Sequence, residues 1–360
     1  MTHGVSIDPL PIPAALTDAG GQDFVDMVAL ANTVERLAVG TDDLSQSPEE
    51  LLPHWRDTEF NPQDAYVARL GGRIVGRGVV SYPIEEDSAV AYLQIDVLPE
   101  YRSRGIGRAL LEVLESAAVN AGRTVLQGWA YHGMRPGTDP LVPPTGFGAV
   151  DRSRAEVRFA LSAGYALEQV ERVSALDLPV EPALLEERRA AAAARAEGYR
   201  VVTWAGVAPA EWTDDFLHMR RRMSTDVPAG GLDIDEEVWT PQRLARLHEN
   251  VEKGGGRMLT AVAQHLASGN LVGYTDLIVP PNRARPAGQE DTLVLREHRG
   301  HRLGMLLKIE NILQLQRLYP SVPRITTFNA EENRPMLDVN EAIGFRPFCY
   351  EGAWKKNTSS

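Results

Sequence analysis

The sequence predicts a mixed α/β protein in which one plan is built twice along the chain. Three observations carry that prediction. Strand-like and helix-like patterns follow the same order in both halves. A basic, glycine-containing loop joins a strand to a helix at Arg102-Ser103-Arg104-Gly105-Ile106-Gly107, and a related loop stands 197 residues later at Arg299-Gly300-His301-Arg302-Leu303-Gly304. Each half then reaches a glycine–aromatic pair, Gly164-Tyr165 and Gly344-Phe345.

The elements read as follows. Val5 to Pro11 suits a short edge strand. Phe24 to Leu37 has helical spacing of apolar residues. Ser47-Pro48-Glu49-Glu50 opens a second helix, with Ser47 as cap and Pro48 in the first turn. Tyr66–Leu70, Gly71-Gly72 and Arg73–Val80 read as a hairpin, because a Gly-Gly turn supplies the positive φ angles that tight hairpins need. A strand over Ala89–Leu98, a helix over Gly105–Ala118 and a strand over Thr124–Ala130 follow, then a helix at Arg154–Ser162 and closing strands over Ala166–Leu178.

After an Ala/Glu/Arg-rich helix the order recurs. There is a strand at Tyr199–Trp204, helices at Glu211–Met223 and Thr240–Val251, and a hairpin of Met258–Gln264 and Leu271–Val279. A strand at Asp291–Leu295, a helix at Leu303–Leu318, a strand at Arg324–Phe328, a helix at Pro335–Ile343 and a strand at Tyr350–Trp354 complete it. The expected domains are 1–179 and 199–360, with 180–198 as a linking helix. The first copy is about 17 residues longer, and the excess falls in the Gly/Pro-rich stretch Tyr131–Phe147, a candidate acceptor-side lid.

Composition narrows the function. A net charge of -12 argues against a nucleic-acid partner and is compatible with a cationic substrate. One cysteine, Cys349, excludes an intrachain disulfide and a multi-cysteine metal site, and no metal is expected. The start, MTHGVSIDPLPIPAAL, lacks the basic and apolar regions of a secretory signal, and no apolar run approaches the roughly 20 residues of a membrane span. The expectation is a cytoplasmic protein with no membrane partner; the sequence does not indicate its oligomeric state.

The loop at Arg102 carries the chemistry. A helix start offers free N–H groups and the positive end of a dipole, which together hold a phosphate. Gly105 and Gly107 let a diphosphate approach the backbone, and Arg102, Arg104 and Arg108 add cationic donors. No Gly-Lys-Ser/Thr follows, so the loop is not of the long P-loop type.

The R-x-x-G-x-G run after the Val97-Leu98-Pro99 strand end resembles the signature of the GNAT superfamily of N-acetyltransferases. Thr292–Gly304 and the later Thr326-Thr327-Phe328-Asn329-Ala330, Asn333 and Gly344-Phe345 extend the resemblance to the second copy. The tandem layout is similar to that of mycothiol synthase. The resemblance implies two α/β folds with splayed central strands and acetyl-CoA as co-substrate. It implies pantetheine contacts at the backbone of Val97, or of Val294 and Leu295. Further cofactor contacts are expected at Ser103, Ile106, Arg299, Gly300, His301, Arg302, Leu303, Gly304, Asn329 and Asn333. A small-molecule amine would attack the thioester directly.

For the base, the expected residues are Asp291, Asp96 and Glu290. The family's usual thiolate-protonating tyrosine falls here on Ala160 and Asn340. In the second loop Arg302 replaces a glycine. The two vacant tyrosine positions give a second reading, a CoA-binding regulatory or scaffold module without turnover. A third reading, acylation of a peptide or protein amine, would need an open groove.

Overall fold

Gly71 and Gly72 take φ values of 58° and 83°, and Leu70 lies opposite Arg73. The two-residue turn closes the first hairpin, β2 (Gln63–Leu70) with β3 (Arg73–Ser81), as its sequence predicts. The computed structural model describes residues 4–134 and 137–358. They form two compact units. The first comprises Met1–Glu171, Ala229–Asp233 and Cys349–Ser360, the second Arg172–Pro228 and Ile234–Phe348.

In the first unit, β1 (Val5–Pro9) pairs antiparallel with β2. Helices α1 (Gly21–Val39) and α2 (Pro48–Trp55) precede the hairpin. Helix α2 starts with the predicted cap. Ser47 accepts from Glu50 N, and Glu50 returns the bond to Ser47 N. Then come β4 (Val90–Val97), α3 (Ile106–Asn120) and β5 (Val125–Gly133).

The Gly/Pro-rich stretch after β5 makes a small ribbon, β6 (Pro140–Leu141) with β7 (Val150–Asp151). Residues 135 and 136 of the expected lid lie outside the described residues. Helix α4 (Ala155–Ser162) follows, and β8 (Ala166–Asp177) leaves this unit. One core lies under α3 and α4, built on Leu93, Leu114, Leu126, Val157 and Trp354. A second lies under α1 and α2, built on Phe24, Met27, Trp55 and Val67.

In the second unit, α5 (Pro182–Ala193) buries Leu185 and Ala192, and Arg189 pairs with Glu310 at 2.6 Å. The helix expected as a linker is therefore packed into this unit's core. Next are β9 (Tyr199–Ala205), α6 (Thr213–Asp226), α7 (Pro241–Lys253), β10 (Arg257–His265), β11 (Leu271–Val279) and β12 (Ala287–Val294). Helix α8 (Leu303–Leu318), β13 (Arg324–Ala330), α9 (Arg334–Ile343) and β14 (Arg346–Asn357) close the chain. The strand order here is β13-β12-β11-β10-β9. Most of β14 belongs to the first unit, where Cys349–Asn357 pair with Gly133–Val125 of β5.

Helix α8 is buried on nearly every face, because it packs on the sheet and is covered by α5. Among the described residues, no helix is long and apolar enough to cross a membrane.

Candidate active site

Each unit contains a pair of parallel strands that part company. In the first, β4 and β5 are in register only over Val90–Tyr92 and Val125–Gln127. In the second, β12 and β13 are in register only over Ala287–Gln289 and Ile325–Thr327. Beyond those points the facing edges carry no ladder. A strand edge with unpaired N–H and C=O groups can bond an extended ligand.

The splays differ in width at their origin. In the first unit a Cβ at Gly128 would lie 2.5 Å from Leu93 O, so β5 stays against β4 there. The matching place in the second unit holds Phe328, partly exposed.

At the far end of each splayed strand stands the cradle. Val97 is followed by a 3-10 turn at Pro99–Tyr101, then Arg102, whose Nε donates to Val97 O at 2.9 Å. Val294 is followed by the turn Arg296–His298, then Arg299, whose Nε donates to Val294 O at 2.9 Å. The loops run through two left-handed residues, Ser103 (59°) and Gly105 (83°) in one, Gly300 (87°) and Arg302 (54°) in the other. Neither α3 nor α8 has a side chain capping its N-terminus. A Cβ at Gly107 would find only ordinary contact with Phe159 at 3.5 Å, and at Gly304 nothing within 4 Å. The protein's own packing does not demand those glycines. Open helix N-termini with bare backbone fit a diphosphate such as that of CoA.

Other expected cofactor residues have internal partners. Arg104 donates to Glu100 O at 2.8 Å, and Arg108 donates to Ser162 O and Oγ at 3.2 and 3.1 Å. Ile106 and Leu303 are buried helix anchors. Leu295 N is spent on Val272 O. Arg299 and Arg296 both reach Asp226, a buried carboxylate at the end of α6 that Arg222 also pairs with. His301 lies beside Tyr199, ring centroids 5.1 Å apart, in a group with His265 and His298. Asn329 accepts from Asn340 at 2.6 Å, which ties one expected contact to the vacant tyrosine position, and Asn333 starts α9.

The three expected bases sit in unlike surroundings. Asp96 is held by Arg77 Nε at 2.7 Å, with both side chains largely buried. It lies on the sheet face opposite Val97, which packs on Ile106 and Leu110 under the cradle helix. Asp291 accepts from Arg220 at 2.7 Å and from Tyr274 Oη at 2.9 Å. Glu290 is the first residue of β12 past the last pairing with β13. It sits in a bulge, because Glu290 and Asp291 together face Asp276 of β11. Gln289 fills the bulge, donating to Asp276 O at 2.7 Å, Thr275 Oγ1 at 3.0 Å and Asp291 O at 3.2 Å.

Burial among the surrounding protein, then the charges of Asp291 and Asp276, push the Glu290 carboxyl up to about 7. The side chain itself still reaches solvent. Asp276 is fully buried; burial raises its carboxyl to about 6, although Arg220 and a 2.6 Å bond from Thr260 act against the rise.

Sequence reading missed Arg220, Asp276 and Tyr274. The signals were present. Phe216, Met219 and Arg220 share the apolar face of α6, so Arg220 had to be buried and therefore paired. Thr275-Asp276 interrupts the otherwise apolar Leu271–Val279. Among the described residues, no group of three or more His, Cys, Asp or Glu is placed to hold a metal ion.

Residues 33–130 match the sequence model of the acetyltransferase (GNAT) family. No curated protein sequence matches the chain. Among solved structures, a tandem GNAT protein from the clavulanic acid biosynthesis pathway is 25% identical, covers 99% of both chains and superposes with a TM-score of 0.70. A GCN5-related N-acetyltransferase from Sphaerobacter thermophilus is 15% identical over 98% of this chain and 95% of that one, TM-score 0.62. At that identity the second likeness shows the fold alone.

Proposed function

We propose that this chain, which resembles a tandem GNAT protein along its whole length, transfers an acetyl group from acetyl-CoA to a primary amine of a small molecule, with the chemistry in the C-terminal copy. The observation that carries the location is Glu290, an accessible carboxylate on a bulged, splayed strand, with a proton affinity matched to neutral pH. Acetyl-CoA supplies an activated acyl thioester. The cradle Arg299–Gly304 and the free edge of β12 would hold it, and Gly300, Gly304 and the first-turn N–H groups of α8 would meet the diphosphate.

An amine attacks only when neutral, and most primary amines are protonated at pH 7. Glu290 takes that proton, and a base poised near the working pH does so efficiently. The carboxylates around it favour a cationic acceptor over an anionic one. Asn340, at the position of the family's usual thiolate acid, cannot protonate the leaving thiolate; it is buried and bonded to Asn329. A thiol pKa near 8.5 makes that proton dispensable.

A second reading applies to the N-terminal copy alone. Its cradle has the same geometry, but Leu93 stands where Glu290 would, and Asp96 is committed to Arg77. This copy suits a CoA-binding scaffold without turnover. The deciding experiment is amine-dependent thiol release across an amine panel, for wild type and Glu290→Gln, with acetyl-CoA affinity measured by calorimetry. The expected result is lost turnover with retained affinity. Full turnover in Glu290→Gln overturns the assignment.

A further inference from the structure

We propose that Arg220 is a positioning residue for the base: by spanning Asp276 and Asp291 from α6 it pins the bulge of β12 on which Glu290 stands. The inference rests on the reading of Glu290 given above.

The geometry supports a fixed strut. One guanidinium nitrogen of Arg220 meets Asp276 and the other meets Asp291, at 2.7 Å for the latter. The two carboxylates lie on adjacent strands, both within the register shift. The guanidinium is also enclosed by aromatic faces, with its central carbon 5.2, 5.2 and 5.0 Å from the ring centroids of Phe216, Trp239 and Tyr274. A planar fork that bonds two acids and packs between rings has little freedom. Two carboxylates this close to each other need a cation between them. Without it they would repel, and the extra residue of the bulge would lose its anchor on the α6 side. Gln289 anchors the bulge through the backbone, but it carries no charge.

Arg220 also sets the charge that Glu290 senses. The charges that act on Glu290 are Asp291 on its own strand, Asp276 from β11 and Arg220 from α6; Tyr274 from β11 bonds Asp291, and His248 from α7 feels the Arg220 charge. Burial, then the Arg220 charge, holds His248 down at about 4, so it is neutral at pH 7. Tyr274 is neutral too, its hydroxyl pushed well up by burial. From β13 and α8 the polar neighbours of the bulge are Thr327 and Asn311, which do not titrate. The balance seen by Glu290 is therefore two negative charges against one positive. A base flanked this way accepts a proton more readily than a lone carboxylate, while Arg220 keeps it from holding that proton permanently.

The test is the acid limb of the pH–kcat profile for amine-dependent thiol release, in wild type, Glu290→Gln, Arg220→Met, Arg220→Lys and Asp276→Asn. Removing the cation should move the limb to higher pH by about one unit or more. Removing a neighbouring anion should move it the opposite way. Arg220→Lys, which keeps the charge but not the fork, should hold the limb near wild type while kcat falls. The KM for acetyl-CoA should stay put in all of them. Opposite shifts support the proposal. Limbs that coincide with wild type in both Arg220→Met and Asp276→Asn overturn it, because a merely structural residue changes amplitude and not the limb. If Arg220→Met fails to fold, Arg220→Lys decides: a kcat equal to wild type there overturns the proposal. A Glu290→Gln enzyme with full turnover and the wild-type limb would instead reject Glu290 as the base, and is read separately.

Discussion

The two cradles have nearly the same backbone and different residues. Each loop needs two left-handed positions. The first copy gives the earlier one to Ser103 and the later one to Gly105; the second gives them to Gly300 and Arg302. The arginine bond to the preceding strand carbonyl is 2.9 Å in both. The neighbouring strands do not match in the same way. β4 pairs with β3 without a break from Gly76–Val97 to Ser81–Tyr92, whereas β12 is bulged against β11. Where the second copy has Tyr274, Glu290, Leu293 and Lys308, the first has Arg77, Leu93, Asp96 and Leu111. The loop recurs with its geometry intact, while the bulge with Arg220, Asp276, Asp291 and Glu290 is found, among the described residues, in the second unit alone.

The largest effects should separate the two acids. Glu290→Gln should lower amine-dependent kcat by about 10²-fold or more, the usual contribution of a positioned base, with an unchanged melting curve. Asp96→Asn should do the reverse. It leaves the Arg77 guanidinium, 7% exposed, without its counter-charge. Stability should fall by roughly 3 kcal/mol, with turnover per folded molecule retained. Denaturant melts and steady-state kinetics on the pair check both arms. Equal kinetic losses would end the functional distinction between the copies.

Lys308 gives the next contrast. It is buried on α8, near the Phe345 ring at 5.5 Å, and burial alone brings its amine down to about 7. The folded pKa lies below the unfolded value of 10.5, so the unfolded chain binds more protons between those limits. The penalty is therefore full below about pH 7 and fades as pH rises towards 10.5. Lys308→Leu, which installs the residue of the first copy, should stabilise the protein by a few (~2–4) kcal/mol at pH 6 and by much less near pH 10. Denaturant midpoints at the two pH values measure it. A gap that does not narrow would mean Lys308 carries its charge inside the fold.

Cofactor affinity should respond locally. Gly105→Glu puts a side chain and a negative charge in the first cradle, and should remove one acetyl-CoA binding step while leaving the other. Titration calorimetry reads both steps. An unaltered isotherm would show that the first cradle does not hold the cofactor.

Much of the fold was legible because its signals are local. The Gly71-Gly72 turn, the Ser47 capping box and the strand–loop–helix cradle are each written within a few residues. The recurrence at 197 residues made the second copy readable from the first. What the sequence could not show depends on long-range packing. Asp96 reads as an available carboxylate until β3 sets Arg77 beside it. Glu290 and Asp291 read as equivalent neighbours until the bulge and Arg220 separate them, leaving one bonded and the other accessible. The Ala-rich stretch reads as a linker because nothing in it announces that Leu185 and Ala192 lie over α8. The assignment of 349–357 to the first unit is likewise a pairing with β5, far away in sequence.

The smallest effect tests why the second cradle keeps an arginine in a glycine's place. At φ 54° Arg302 pays the left-handed strain, about 1–2 kcal/mol for an L-residue. Glycine removes that strain but loses about 0.5–1 kcal/mol through the freer unfolded chain. Arg302→Gly should therefore stabilise the second unit by only about 0.5–1 kcal/mol, visible as a small rise in denaturant midpoint. Its guanidinium is exposed and has no carboxylate within ion-pair reach among the described residues, unlike Arg299 and Arg296, which share Asp226. If the cradle holds a diphosphate, the same change should weaken acetyl-CoA binding several-fold, by about 1 kcal/mol, at the second copy's step alone. Stability and affinity would then move in opposite directions, the signature of a strained residue kept for its ligand. A variant that gains both would show that Arg302 only crowds the loop.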